Sequence, residues 1–314
     1  MQAVAPSKFL FVLNPKSGSK SRTNWQSLIS EYFKSKPHAI EFFLFTGNDD
    51  AGSLGQKIGE IKPDKVIAVG GDGTINLVAT KLVGTNIPMG ILPAGSANGL
   101  AREFQLPSSP DLILELIETG IVREMDVLKI NDEFISLHLA DLGLNAQLIK
   151  YFEESNWRGK LGYAKLLLKT LWRTQRVRVT IETDKEKIER KAYMVVLANA
   201  RTYGTGAVIN PIGDLHDGKF EVIIVRKLAF SVLLKMIFRH KPYNSEKIEI
   251  YSTTKVTIRS NRKTYFQADG EYLGRKDFIQ AEIVTGKLKI IKPAEDAELS
   301  LEKQAIRHNF LSNT

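Results

Sequence analysis

Residues 66–76 constrain this chain more than any other stretch. They read Val66-Ile67-Ala68-Val69-Gly70-Gly71-Asp72-Gly73-Thr74-Ile75-Asn76. The β-prone apolar residues at 66–69 predict a buried strand, and apolar residues at helical spacing resume over 75–83. Strand, glycine turn and helix in that order aim backbone N–H groups and a helix N-terminus at an anion, most often phosphate. The glycines at 70, 71 and 73 would permit positive φ and leave no Cβ between backbone and ligand. Asp72 is the discordant residue. A carboxylate repels phosphate unless a cation stands between them, so Asp72 predicts a magnesium ion or a proton to be moved. The competing account is a plain βα turn with Asp72 and Thr74 as helix caps.

The same alternation runs through the first 125 residues. Strands are expected at 9–13, 40–45, 66–69 and 89–92, and helices at 24–33, 50–61, 75–83, after 98, and at 111–118. Short apolar strands alternating with amphipathic helices predict an α/β domain with a parallel sheet covered on both faces. Ligands of such sheets bind at the carboxyl ends of the strands. Asn14-Pro15-Lys16-Ser17-Gly18, Thr46-Gly47, the 70–74 loop and Gly95-Ser96-Ala97-Asn98 all follow strands, so they should converge on one edge. Each has an ordinary explanation taken singly: Asn-Pro and Ser-Gly are common turn dipeptides, and Ser96 could be a helix cap.

After about Met125 the pattern changes to strands at 127–130, 134–139, 176–182, 193–198, 220–225, 256–259, 264–267, 278–283 and 288–291. Helical inserts are expected near 144–154, 161–172 and 229–238. Residues 183–186 read as a hairpin turn. This half predicts an all-β antiparallel sandwich. The expected organisation is 1–125 for the nucleotide-binding α/β domain and 126–292 for the sandwich, with 293–314 packing back on the first domain. The chain has no cysteine, which excludes disulfides and thiolate chemistry. No apolar run approaches the roughly 18 residues of a membrane span. The net charge of +9 points to an anionic partner: nucleic acid, nucleotide or membrane surface.

Gly70-Gly71-Asp72-Gly73-Thr74 resembles the nucleotide-binding signature of the diacylglycerol kinase catalytic domain superfamily. That group spans bacterial diacylglycerol kinases and related lipid kinases, sphingosine kinases and ceramide kinases; NAD kinases carry a related signature and fold. Asn14-Pro15-Lys16-Ser17-Gly18 is similar to the Asn-Pro-x-Ser-Gly stretch of lipid kinases. Pro93-Ala94-Gly95-Ser96-Ala97-Asn98 stands where NAD kinases continue differently, and it resembles the lipid kinases. Many bacterial diacylglycerol kinases have Asp where this chain has Gly99, and Glu where it has Leu77; both departures touch substrate class more than reaction type.

The resemblance implies ATP and Mg2+ as cofactors. The implied nucleotide contacts are Asn14, Pro15, Lys16, Ser17, Gly18, Thr46, Gly70, Gly71, Asp72, Gly73, Thr74, Asn76, Gly95, Ser96 and Asn98. Asp269-Gly270-Glu271 resembles the Asp-Gly-Glu whose Glu takes the proton from the lipid hydroxyl. Glu271 is then the base, Asp72 the second acid near the nucleotide phosphates, and Asp126 a member of the magnesium–water network. As plain structure, Asp269-Gly270 is a turn with an exposed Glu after it. Asp214-Leu215-His216-Asp217-Gly218-Lys219 resembles a Leu-x-Asp-Gly magnesium loop. The implied ligands are the Asp217 carboxylate and the backbones of Asp214 and Lys219, an oxygen set suited to magnesium or calcium.

The implied activity is transfer of the γ-phosphate to a lipid hydroxyl, that of diacylglycerol or a related lipid alcohol. The alternatives are a sphingoid-base or ceramide kinase, an NAD kinase-like enzyme, and a non-catalytic nucleotide- and lipid-binding regulator. Asn145 stands where relatives often carry Asp, and the missing charge favours a neutral lipid over a cationic amine. Seven Lys or Arg and no acid lie between Arg158 and Arg178, and five between Arg226 and Lys241. Both stretches carry apolar residues at helical spacing, which as plain structure would cover the sandwich core. Together they predict reversible docking on an anionic membrane surface. The expected location is cytoplasmic, at the inner face of the membrane. No nucleic-acid partner is implied, and a homodimer is left open.

Overall fold

The computed structural model describes residues 5–15, 24–95, 98–153, 174–203, 208–227 and 248–294. The chain divides into two compact units. One comprises the chain up to Met125 together with the segment from Gly286; the other begins at Asp126 and runs to Thr285.

The first unit holds β1 (Lys8–Leu13), α1 (Trp25–Phe33), β2 (Ala39–Leu44), α2 (Asp50–Ile61), β3 (Lys65–Gly70), α3 (Asp72–Leu82), β4 (Met89–Pro93), α4 (Gly99–Glu103) and α5 (Pro110–Thr119). Its strands pair in parallel in the order β4-β3-β1-β2. Phe9, Phe11 and Leu13 pack with Ile29 and Phe33 of α1 and Ile113 and Ile117 of α5. The alternate residues Leu10, Val12, Val66 and Ala68 are equally buried. Burial on both faces is why these strands read as continuous apolar runs. Asn24 caps α1, its side chain accepting from Ser27 N. The helix α3 begins at Asp72, earlier than the apolar spacing suggests, because Gly73 in its first turn carries no side chain to signal a face.

The second unit holds β6 (Phe134–Ser136), β7 (Leu139–Gly143), α6 (Leu144–Glu153), β8 (Val177–Thr183), β9 (Lys187–Ala192), β10 (Met194–Ala198), β11 (Phe220–Val225), β12 (Ile248–Thr253) and β13 (Lys255–Ala268). Two further strands carry the chain from one unit into the other: β5 (Ile121–Ile130) and β14 (Glu271–Lys292). The order β12-β11-β10-β7-β13-β14 is antiparallel throughout, with β8 also on β13 and β9 on β8. Leu142, Val179, Val195, Val222, Ile258 and Phe266 belong to its core.

Four details depart from the sequence reading. The strand expected at 134–139 is broken between β6 and β7. The pairs expected at 256–259 and 264–267, and at 278–283 and 288–291, are each one long strand. The polar strand β9 was not foreseen, because charge at Lys187, Glu189, Arg190 and Lys191 hides the alternation; nor was β12. At the far end of β14, Ile290 pairs in parallel with Met89 of β4, so the residues expected to close the sandwich end in the first unit's sheet. The tail from 295 onward lies outside the described residues, as do most of the two basic stretches.

Candidate nucleotide and transfer sites

In the first unit, β1 leads to β2 on one side while β3 lies on its other side, so the chain changes direction at β1/β3. Open α/β sheets bind ligands at that point, outside the carboxyl ends of the strands. Asn14 follows β1, Gly70–Thr74 follows β3 and Gly95 follows β4, and the three loops are fastened to one another there. Asn14 N donates to Val69 O at 3.2 Å, and Asn14 Nδ2 to Thr74 Oγ1 at 3.3 Å. Ala94 N donates to Gly70 O at 2.9 Å. Asp72 Oδ1 accepts from Gly99 N at 2.7 Å, which ties the β3 loop to the start of α4.

The glycines are needed for close approach and not for left-handed backbone. None of Gly70, Gly71, Gly73 and Gly95 has positive φ, which corrects the expectation drawn from the sequence. A Cβ on Gly95 would lie 2.4 Å from Gly71 Cα and 2.8 Å from Asn98 Oδ1. The two loops therefore meet backbone to backbone, and this cradle suits phosphate, which is held by main-chain donors. Gly71 is the N-cap of α3 and no side chain caps that helix, so Asp72 and Thr74 are not the caps of a plain βα turn. Thr74 is buried.

Other expected contacts have local partners. Asn98 closes its own loop, accepting from Gly95 N at 2.9 Å and donating to Gly95 O at 3.0 Å. Thr46 Oγ1 donates to Asp50 Oδ1 at 3.1 Å, at the exposed end of β2. Asn76 Oδ1 accepts from Thr80 Oγ1 at 3.5 Å. Pro15 is an exposed turn residue. Lys16, Ser17, Gly18 and Ser96 lie outside the described residues.

In the second unit a chain of hydrogen bonds joins Asp126, the 214–219 loop and the 269–271 turn. Asp126 is 3 % exposed. Its Oδ2 accepts from Gly218 N at 2.8 Å and its N donates to Leu215 O at 2.8 Å. Gly218 sits at φ +71°, a conformation that glycine adopts without strain. Asp214 Oδ1 accepts from His216 N and Asp217 Oδ1 from Lys219 N, both at 3.0 Å, so each carboxylate orders its own loop. The carboxylates and main-chain carbonyls of this loop are hard oxygen donors, and that chemistry fits magnesium.

Asn199, wholly buried, donates through Nδ2 to Asp126 O at 2.8 Å and to Leu137 O at 3.0 Å. Leu137 N in turn donates to Asp269 Oδ2 at 2.7 Å. The other oxygen, Asp269 Oδ1, accepts from Ser136 Oγ at 2.9 Å, His138 N at 3.0 Å and Leu139 N at 3.1 Å. This is why the strand expected at 134–139 breaks: its N–H groups turn to a carboxylate instead of a ladder. Asp269 and Gly270 both have positive φ, the signature of a two-residue type I′ hairpin turn, so the plain Asp-Gly turn is present. Glu271, exposed, is the first residue of β14 beyond that turn.

Sequence reasoning passed over Asn199, Ser136 and the latch role of Asp269. Asn199 had a usable signal, since it directly follows an apolar strand as Asn14 does. The partners of Asp269 lie 130–133 residues away and leave no local mark.

An α/β unit with a parallel sheet followed by a β-sandwich is the arrangement of the NAD kinase and diacylglycerol kinase fold class. The diacylglycerol kinase catalytic domain family matches residues 8–130, and the YegS C-terminal NAD kinase beta sandwich-like domain matches residues 139–292. Residues 8–130 thus form a diacylglycerol kinase catalytic domain, the domain of an enzyme family of phosphotransferases with an alcohol acceptor. It is 24 % identical over 298 residues to the diacylglycerol kinase of Bacillus subtilis, covering 91 % of this chain and 97 % of that one. The crystal structure of a diacylglycerol kinase from Bacillus anthracis superposes with a TM-score of 0.70 at 20 % identity, covering 91 % and 97 %. An NAD kinase from Archaeoglobus fulgidus in complex with ATP gives a TM-score of 0.55 at 15 % identity, covering 95 % and 99 %. Among the described residues no helix is long and apolar enough to cross a membrane.

Proposed function

We propose that the chain transfers the γ-phosphate of Mg-ATP to the hydroxyl of diacylglycerol or a related neutral lipid alcohol. The observation that carries this reading is the backbone cradle of Gly71 against Gly95, set at the β1/β3 switch point and braced by Asn14 and Asp72. Phosphoryl transfer needs positioning, charge neutralisation and a proton acceptor more than covalent chemistry. The lipid oxygen attacks the γ-phosphorus, the bond to the ADP oxygen breaks, and Glu271 takes the hydroxyl proton. Asp72 holds the β3 and β4 loops together at the phosphates. Asp126 orders Gly218 and so the 214–219 loop. Magnesium, when bound, supplies positive charge against the phosphates or the loop; Asp217 with the backbones of Asp214 and Lys219 would hold the ion of that loop. The α/β unit takes the nucleotide and the sandwich takes the lipid. The enzyme works peripherally at the inner face of an anionic membrane, through the basic stretches at 158–178 and 226–241.

A second reading, an amino-alcohol acceptor such as a sphingoid base, draws on Asp141, whose Oδ2 accepts from Asn145 Nδ2 at 2.6 Å. Asp141 is wholly buried, so it cannot meet a ligand amine, and Asn145 remains the half-buried group at that place. This supports the neutral acceptor. The test is transfer of labelled γ-phosphate from ATP into a panel of diacylglycerol, ceramide, sphingosine and NAD. Labelled phosphatidic acid as the main product is expected; a preference for sphingosine or NAD, or no transfer, overturns the reading.

A further inference from the structure

Asp141 lies in β7 and has no part in the roles assigned above. Beyond Asn145, its Oδ2 accepts from Gln267 Nε2 at 2.5 Å, and its Oδ1 from Ala146 N at 2.9 Å. Tyr203 Oη lies 3.4 Å from Oδ2. Gln267, on β13, is buried too, and its Oε1 accepts from Gly270 N at 2.9 Å. Gln267 is thus gripped at both ends, by a buried acid and by the residue before Glu271. Capping α6 would explain the bond to Ala146 N, but it explains neither the second oxygen nor Gln267.

We propose that Asp141 is a positioning residue for phosphoryl transfer: through Gln267 it fixes the turn that carries Glu271, and only its ionised form does so. The proposal rests on the reading of Glu271 as the base. An ionised carboxylate accepts only. It therefore holds Gln267 with its NH2 toward Asp141 and its carbonyl oxygen toward Gly270 N–H. A protonated Asp141 carries a donor of its own. Gln267 can then turn over, its oxygen on the new O–H and its NH2 against Gly270 N–H, donor facing donor. The turn loses its anchor on the β13 side.

The groups facing Asp141 are Asn145 and Ala146 from α6, Gln267 from β13, its pairing partner Val196 from β10, and Tyr203. Of these only Tyr203 carries an ionisable side chain, and none carries a formal charge. Burial pushes the Asp141 carboxyl up to about 6 against the pull of its hydrogen bonds, which puts the change of state near the working range of a cytoplasmic enzyme.

The test follows the Gly270 amide of the full chain by two-dimensional NMR from pH 5 to 8, alongside kcat on micellar lipid. In the wild type the amide should titrate with a midpoint near 6, and kcat should fall with the same midpoint. Glu271→Gln should keep the amide titration whatever its activity, which separates this proposal from the identity of the base. Asp141→Asn should abolish it. Gln267→Met, which keeps the acid, should abolish it too and lower kcat about threefold to thirtyfold with KM for ATP unchanged. A wild-type amide that does not titrate near 6, a midpoint that survives in Asp141→Asn or Gln267→Met, or a kcat profile that ignores it overturns the proposal.

Discussion

The two units hold their loops still by opposite means. In the first, loops are held by absence: Gly71 and Gly95 touch because neither has a side chain, and main-chain atoms do most of the bonding. In the second, loops are held by buried or half-buried carboxylates. Asp269 gathers four donors from residues 136–139, Asp126 fixes Gly218, and Asp141 grips α6 and Gln267. A backbone cradle tolerates no added atoms but is indifferent to pH. A carboxylate latch tolerates shape and depends on charge. Substitutions that change volume and substitutions that change charge should therefore damage different halves.

The largest effect should come from the chemistry itself. Glu271→Gln keeps volume and removes the proposed proton acceptor. Loss of a general base costs about 10²–10⁴ in rate. ATP binding by calorimetry and the thermal midpoint should hardly move, because Glu271 is exposed. Near-wild-type turnover would remove it from the role.

Next is the latch. Asp269→Ala strips the acceptor from Ser136 Oγ and from Leu137, His138 and Leu139 N. Hydrogen bonds to charged groups are worth about 1.5–3 kcal/mol each, but water replaces part of that at a half-buried site. A loss of roughly 2–4 kcal/mol is expected, read as a lower urea midpoint, with activity falling as the turn loosens. Asp269→Asn should fall between, since it keeps one acceptor oxygen. If Asp269→Ala is as stable as wild type, the second unit is not held by carboxylates.

These contrasts also explain what could be read in advance. The placing of Asn14, Gly70–Thr74 and Gly95 at strand ends was legible because each belongs to a short run of glycine and polar residues after an apolar strand. The α/β sheet was legible for the same reason: Phe9–Leu13 and Val66–Val69 are apolar on both faces. What stayed hidden is long-range. Nothing near residues 134–139 announces that their N–H groups turn to Asp269, and nothing around Gln267 announces Asp141. Asp72 was legible as unusual, but its bond to Gly99 N at the start of α4, 27 residues on, leaves no local mark.

The third contrast is pH. Asp141 sits up near 6 in the folded chain against an ordinary value of 3.8. A raised carboxyl favours the folded state while protonated. That contribution is complete below about pH 4, and is lost as pH rises from there through about 6. A shift of about two pH units corresponds to roughly 3 kcal/mol as an upper figure. The Asp141→Asn chain lacks this titration. The stability difference between variant and wild type should move in the variant's favour by up to about 3 kcal/mol between pH 4 and pH 7, as urea midpoints would record; other acids cancel in the difference. A difference that stays flat would mean the site is wetter than its burial implies. It would also mean that the second unit does not carry, at neutral pH, the cost of the charge that grips Gln267.

The smallest expected effect tests the first unit by volume alone. Gly95→Ala puts a methyl 2.4 Å from Gly71 Cα and 3.2 Å from Gly71 N, both backbone, so one loop must move. Overpacking of this kind costs about 1–3 kcal/mol. The mirror substitution is milder: a Cβ on Gly71 meets Gly95 Cα at 3.2 Å, a distance that a shift of a few tenths of an ångström relieves. Gly71→Ala should cost under about 1 kcal/mol, since that relief leaves little of the overpacking penalty. Because the same two loops form the proposed phosphate cradle, the order should repeat in ATP affinity, with Gly95→Ala weaker than Gly71→Ala and wild type strongest. Neither ratio should change between pH 5.5 and 8, since no titratable side chain takes part in that contact. Equal effects of the two alanines would mean the loops separate freely and do not act as one cradle. A pH-dependent ratio would mean the first unit too is held by charge, with Asp72 at Gly99 N as the latch.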